Sequence, residues 1–166
     1  MAEAYFTSYK MLKFMVKHWC KYLVIILTSL QLSAVAQSGT AKLVTWEDLS
    51  KVDFEDKYYP DYEGWFLFPN FSESVKALNN QPIIIKGYII PIDVEDNLYA
   101  LSAYPFSSCF FCGNAGPESV MTLEFKNPPK KWKTDDLVNF TGILKLNDSD
   151  LENFNYILQE AIPLKK

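Results

Sequence analysis

The rhythm of apolar and polar residues changes once along this chain, near Pro82. Beyond it, Ile83-Ile84-Ile85-Lys86-Gly87-Tyr88-Ile89-Ile90-Pro91-Ile92 is dense in β-branched residues and predicts a strand, with Gly87 marking a bulge or sharp bend inside it. Asp93 to Asn97 is an acidic turn, and Leu98 to Tyr104 is the returning strand. Val120 to Phe125 predicts a third strand, closed by the turn Asn127-Pro128-Pro129-Lys130-Lys131. Leu137 to Leu146 alternates, with Val138, Phe140, Leu144 and Leu146 on one face and Asn139, Thr141 and Lys145 on the other. Gly142 sits in its middle, as Gly87 does in the first strand. Tyr156 to Ile162 is the last strand, stopped by Pro163.

Before Pro82 the signals are helical and short. Thr45-Trp46-Glu47-Asp48 is a hydroxyl cap with an acid three residues on, which opens a helix ending near Val52. Asp53 to Asp61 is rich in acids and tyrosines, and Pro60 stops any helix there. Trp65-Phe66-Leu67-Phe68 reads as a short strand or buried plug ended by Pro69. Ser72 to Asn79 predicts about two helical turns, with Val75 and Leu78 on one face. Five strands in about eighty residues, two of them bent at central glycines, predict a closed or half-closed barrel. The segment Asp136 to Gly142 looks like a strand of the OB fold, although two prolines between Lys126 and Asp136 leave no room for that fold's usual helix. The expected fold class is therefore mainly β (α+β), a small OB-like five-stranded barrel preceded by two short helices. A β-sandwich is the alternative.

The first forty residues have a different character. Lys10, Lys13, Lys17 and Lys21 precede an apolar stretch of about 14 residues, Leu23 to Ala36, which closes on Ala34-Val35-Ala36. A basic head, a short apolar middle and a small-x-small close are the parts of a secretory signal peptide. The stretch is shorter than the roughly 20 residues a helix needs to span a bilayer. The expected organisation is thus a signal peptide over 1–36 and a single OB-like domain over 37–166, exported to the periplasm or secreted. The alternative is an anchor to the inner membrane by the uncleaved segment. The acidic opening before Met11 is unusual for a signal head and leaves Met11 or Met15 as alternative starts.

Cleavage after Ala36 changes the chemistry available. It removes His18, the only histidine, and leaves 12 lysines against 19 acids, a net charge near −7, with no arginine. An acidic chain without a guanidinium fork is a poor partner for phosphate backbones, which argues against nucleic acid. Without an imidazole there is no Ser-His-Asp or Cys-His nucleophile system, and the common catalytic zinc sites are lost too. No Gly-rich phosphate loop is present, and no pair of carboxylates stands out by context. A non-enzymatic protein is expected.

What remains is Ser-Ser-Cys109-Phe-Phe-Cys112-Gly-Asn-Ala-Gly-Pro-Glu118. Three readings are open. Cys-x-x-Cys-Gly is a common half of a structural zinc or iron site, with Glu118, Asp93, water or a second chain completing the shell around Cys109 and Cys112. A disulfide between Cys109 and Cys112 would suit an oxidising compartment. A thiol–disulfide redox pair is the third, and it lacks a source of thiol activation. Gly113, Gly116 and Pro117 disfavour a helix start, no lysine lies within ten residues, and Glu118 opposes a thiolate. Phe110 and Phe111 either seal this loop from water or face a partner. The aromatic residues Trp46, Trp65, Trp132, Tyr58, Tyr59 and Tyr62 are expected to fill the barrel and cover its ends, the alternative being stacking on sugars or peptides.

A wider resemblance rests on Trp46-Glu47-x-Leu49, Val75-Lys76-Ala77-Leu78 and Lys86-Gly87-Tyr88-Ile89-Ile90-Pro91. In this order they resemble a family of small exported bacterial proteins of unknown function. Members carry Gly-Tyr-(Val/Ile)-(Val/Ile)-Pro-Leu, an apolar strand, then Cys-x-His and a proline run ending Asn-Gln. Cys109 matches the family cysteine, Cys112 stands one residue beyond the family histidine, and Glu118-Ser119 replaces Asn-Gln. The resemblance implies a metal reading for the cysteine loop and an unknown envelope protein or transport system as partner. The two functional expectations are an exported module that binds a soft metal or assists transport, and a structural or interaction barrel stapled by the cysteines.

Overall fold

The computed structural model describes residues 40–127 and 131–164. The expected signal segment, with His18 and Cys20, lies outside the described residues. No helix among the described residues is long and apolar enough to cross a membrane.

Among the described residues there are eight strands and two single-turn α-helices: β1 (Lys42–Leu43), α1 (Trp46–Leu49), β2 (Val52–Tyr59), β3 (Gly64–Phe71), α2 (Glu73–Lys76), β4 (Gln81–Asp93), β5 (Leu98–Ser102), β6 (Val120–Phe125), β7 (Leu137–Leu146) and β8 (Tyr156–Pro163). The strands β4-β5-β6-β8-β7 follow one another around a closed barrel, and β7 returns to β4. All neighbours in the barrel are antiparallel except β6 and β8, which run parallel. This is the expected OB-like barrel.

Closure depends on β4. Its first part, Gln81 to Tyr88, pairs with β7, and its last part, from Tyr88 on, pairs with β5. The strand must bend where it changes partners, and Gly87 is the residue at that point. A Cβ there would lie 2.7 Å from both Leu101 Cγ and the Ser102 carbonyl oxygen. Gly142 is the counterpart on β7: a Cβ would lie 2.6 Å from Gln159 O, at the place where the β7–β8 register shifts between Thr141 and Ile143. Both glycines are required by close backbone approach.

Ile83, Ile85, Ile89, Leu101, Met121, Phe140, Leu144 and Leu158 fill the barrel and are fully buried. Each contributes about 1.5–3 kcal/mol on burial. The ion pairs Lys51–Asp48, Lys76–Glu73 and Lys126–Glu160 lie between exposed side chains, where solvent screens them, so the barrel interior decides stability.

The two helices close one side of this core. Thr45 and Asp48 form the expected capping box, and Leu49 of α1 is fully buried. Trp46 Nε1 donates to Lys86 O at 2.8 Å, which fastens α1 beside the bend of β4. The predicted helix over Ser72 to Asn79 is a single turn followed by tight turns, yet Val75 and Leu78 are both buried as its spacing required.

One expectation is corrected. The segment rich in acids and tyrosines, Asp53 to Asp61, is a strand as far as Tyr59, and Pro69 does not end the strand that contains Trp65 to Phe68. Residues Val52 to Tyr59 pair antiparallel with Gly64 to Phe71 through Pro69, as a separate two-stranded sheet. The reason lies in the register. Ser72 N–H donates to Lys51 O, so every second pair along the ladder is hydrogen bonded, and Pro69 opposite Phe54 falls on a pair that is not. Its missing N–H points away from β2, as an edge strand allows. Tyr58, Tyr62 and Trp65 therefore stand on an exposed hairpin, about half to two thirds accessible, instead of filling the barrel.

Adding one methyl at Gly142 tests the closure. Gly142→Ala is expected to lower unfolding free energy by about 1–3 kcal/mol, seen as a lower urea midpoint at unchanged m-value. A midpoint equal to wild type would show that β7 does not need the close approach.

Candidate functional site

The cysteines lie in the long connection between β5 and β6. Prolines, glycines and small polar residues prevent a regular helix here. The chain instead makes three single 3-10 turns, Phe106–Ser108, Phe110–Cys112 and Pro117–Ser119. The second turn ends at Gly113, whose φ of 72° is a left-handed conformation that glycine adopts freely. No extended helix starts at the cysteines, so they receive no helix dipole. Phe106 N–H donates to Asp135 Oδ1 at 2.7 Å and ties the loop to the segment before β7. Ser119 Oγ donates to Gly116 O at 2.6 Å and shapes its far end.

Cys109 is fully buried and Cys112 is exposed, and both are free thiols. Cys112 N–H donates to Cys109 O at 3.1 Å, the i to i+3 bond of a 3-10 turn, which brings side chains three apart onto one side. Both sulfurs consequently reach the same atom: each Sγ donates to Phe106 O at 3.0 Å.

Phe110 and Phe111, between the cysteines, divide the two roles expected of them. Phe110 packs on the small core of Ile90, Ala100 and Val120, while Phe111 is 43% exposed. With Phe154 they form an edge-to-face trio at centroid separations of 5.8–6.1 Å. Phe154 comes from the connection between β7 and β8. Asn147 organises this connection by donating to the carbonyls of Asp150, Asn153 and Phe154 and accepting from the N–H groups of Ser149 and Asp150. Asp150 is held below the usual carboxylate range by the Asn153 amide and then by the Glu152 N–H. A groove of about 370 Å³ runs between this connection, Phe110 and strand β3.

The structure does not gather the expected carboxylates around the sulfurs. Glu118 faces a separate hollow of about 260 Å³ with Trp46, Glu47 and Tyr104. Asp93 Oδ1 accepts from the N–H groups of Glu95 and Asp96 in the β4–β5 turn. Among the described residues, no group of three or more His, Cys, Asp or Glu side chains could hold a metal ion.

Glu118 acts instead on Tyr156. Burial first, and the Glu118 charge second, push this phenol well above its ordinary range. Its hydroxyl donates to Leu49 O at 2.6 Å, locking α1 to the barrel. Asn147 and Tyr156 both escape a reading of the sequence. The run Asn147-Asp148-Ser149-Asp150 signals a turn, but nothing in it marks which amide is buried.

Together these features define a small OB-like β-barrel protein with a cysteine loop and an aromatic groove beside it. No family model matches the chain, and no curated protein matches it. Among solved structures, the chain is similar to a DUF3299 family protein from Pseudomonas aeruginosa PAO1, with a TM-score of 0.49 and 14% sequence identity, over 77% of this chain and 99% of that one.

The Tyr156 phenol gives a pH test. Its folded-state pKa is raised, so the unfolded chain loses this proton first as pH rises through about 10, and folding stability falls from there upward. Tyr156→Phe is expected to be less stable than wild type at neutral pH and to show a shallower alkaline decline in urea titrations. Parallel declines in the two proteins would remove Tyr156 from the alkaline transition.

Proposed function

We propose that the chain is an exported, non-enzymatic binding module of the cell envelope whose Cys109–Cys112 pair closes as a disulfide and fixes the loop between β5 and β6. The observation that carries this reading is the meeting of both sulfurs on the Phe106 carbonyl, each at 3.0 Å. Two 3.0 Å contacts to one oxygen keep the sulfurs no more than 6.0 Å apart, on one side of the 3-10 turn. In closing, they give two protons and two electrons to a disulfide-bearing oxidant of the compartment, which becomes a dithiol. The basic head and short apolar stretch before Ala36 support the export assignment. The ring closed spans four residues, so the chain-entropy stabilisation is roughly 2 kcal/mol, small for a disulfide. Its effect is local: it holds Phe110 and Phe111 in place beside the groove.

A soft-metal role, for zinc or iron, is the second reading. It draws on the same convergence of sulfurs and on the exposure of Cys112, which would let a second chain complete the shell.

Chain purified from its native compartment under thiol-blocking conditions distinguishes the two. The expected result is a mass lower by two hydrogens, no alkylated Cys109 or Cys112, and no zinc or iron by elemental analysis. Cys112→Ser should then match the reduced wild type in stability, about 2 kcal/mol below the oxidised form. Two alkylated cysteines with zinc or iron at one per two chains would replace the disulfide reading by the metal one.

A further inference from the structure

Strand β3 pairs with β2 alone, so its other edge is unpaired among the described residues, and Trp65, Leu67 and Pro69 of this strand line the groove. The hydrogen bond from Ser72 N–H to Lys51 O fixes the phase of the β2–β3 ladder, so Trp65, Leu67, Pro69 and Phe71 turn their backbone groups away from β2. Pro69 confirms the phase, since only an outward position tolerates the loss of its N–H. Among the described residues, neither the Trp65 nor the Leu67 N–H bonds to another element. Such an edge is a template for a further strand.

The space ahead of this edge is open and shaped. Trp65, Leu67 and Pro69 line it together with Phe110, Phe154, Asp148 and Asp150, and no lysine among the described residues does. Trp65 is 69% and Leu67 52% exposed. Charge selects the occupant. Asp148 and Asp150 line the groove with no lysine beside them, and β2 with the turn adds Asp53, Glu55, Asp56, Asp61 and Glu63 against the single Lys57, so the surroundings of the edge are acidic while β3 itself is uncharged. A cationic strand is complementary.

We propose that the outer edge of β3 takes an extended lysine- or arginine-bearing peptide segment of a partner protein as a third strand. Main-chain hydrogen bonds to Trp65 and Leu67 supply affinity, and the aromatic lining and Asp148 select alternating apolar and basic side chains. The inference rests on the reading of the chain as a binding module and adds its ligand class.

The probe is the peptide acetyl-Val-Lys-Val-Lys-Val-Lys-amide, titrated into the whole chain in both its reduced and its oxidised state. Binding by calorimetry and slowed hydrogen exchange at the Trp65 and Leu67 amides are expected. Asp148→Asn should weaken binding, and Leu67→Pro, which removes an outward N–H together with the leucine side chain, should weaken it about 10-fold, while Leu67→Ala, which removes the side chain and keeps the N–H, changes it less. An analogue N-methylated at every residue keeps the charges and should not bind. Equal binding of that analogue, unchanged exchange at both amides, or no binding in either thiol state would overturn the proposal. So would a dimer that protects the same amides without peptide. Because both thiol states are titrated, failure of the disulfide reading and failure of this one are told apart.

Discussion

The change of partners along β4 is the constraint on which the rest of the molecule depends. One strand pairs with β7 over its first half and with β5 over its second, and without that double duty the sheet has no closure. The bend costs side chains at two places, Gly87 and Gly142, where neighbouring backbone and leucine atoms occupy the space of a Cβ. In return the barrel hides its strand edges and gathers isoleucines, leucines, Met121 and Phe140 into a single interior. The N-terminal elements are fitted to that bend. Trp46 reaches the carbonyl of Lys86, next to Gly87, and Tyr156 reaches back from the last strand to Leu49.

A rigid barrel lets its connections be irregular. The loop between β5 and β6 and the loop between β7 and β8 emerge together, and Phe110, Phe111 and Phe154 join them in one aromatic cluster. Each loop is organised from within by a polar hub: the Phe106 carbonyl, which receives both thiols, and the Asn147 side chain, which receives and donates five hydrogen bonds. Asn147 is buried, so its satisfied side chain specifies one loop geometry, because any other leaves it unpaired at a cost of about 1–3 kcal/mol. The cysteines and the groove are thus adjacent consequences of the same packed end of the molecule.

How much of this was legible depended on how each signal is written. Strand β7 stands where alternation placed it, β6 covers the Val120 to Phe125 run read as a strand, and the two central glycines were visible inside their strands. The capping box was found for the same local reason. The β2–β3 hairpin was hidden because acids occupy both of its faces and a proline lies within it, which masks the period of two on which strand reading relies. The cysteine pair was visible as a motif. That Glu118 and Asp93 are engaged elsewhere was not, since ligand gathering is a long-range property of the folded chain.

The hairpin also shows how an exposed edge can remain specific. Two eight-residue strands with Tyr58, Trp65 and Leu67 uncovered would invite pairing with further copies of the chain. Acidic residues along β2 oppose pairing at its own outer edge, and Pro69 removes one donor from the outer edge of β3. Neither device closes the edge to a strand of the opposite charge. Lys57 lies with its ammonium 4.2 Å from the centre of the Phe68 ring, so the one cation of the hairpin is already held on its own aromatic surface. Charge on this hairpin therefore acts as a filter more than as a source of stability: it discourages like with like, and leaves the aromatic edge available to a basic partner.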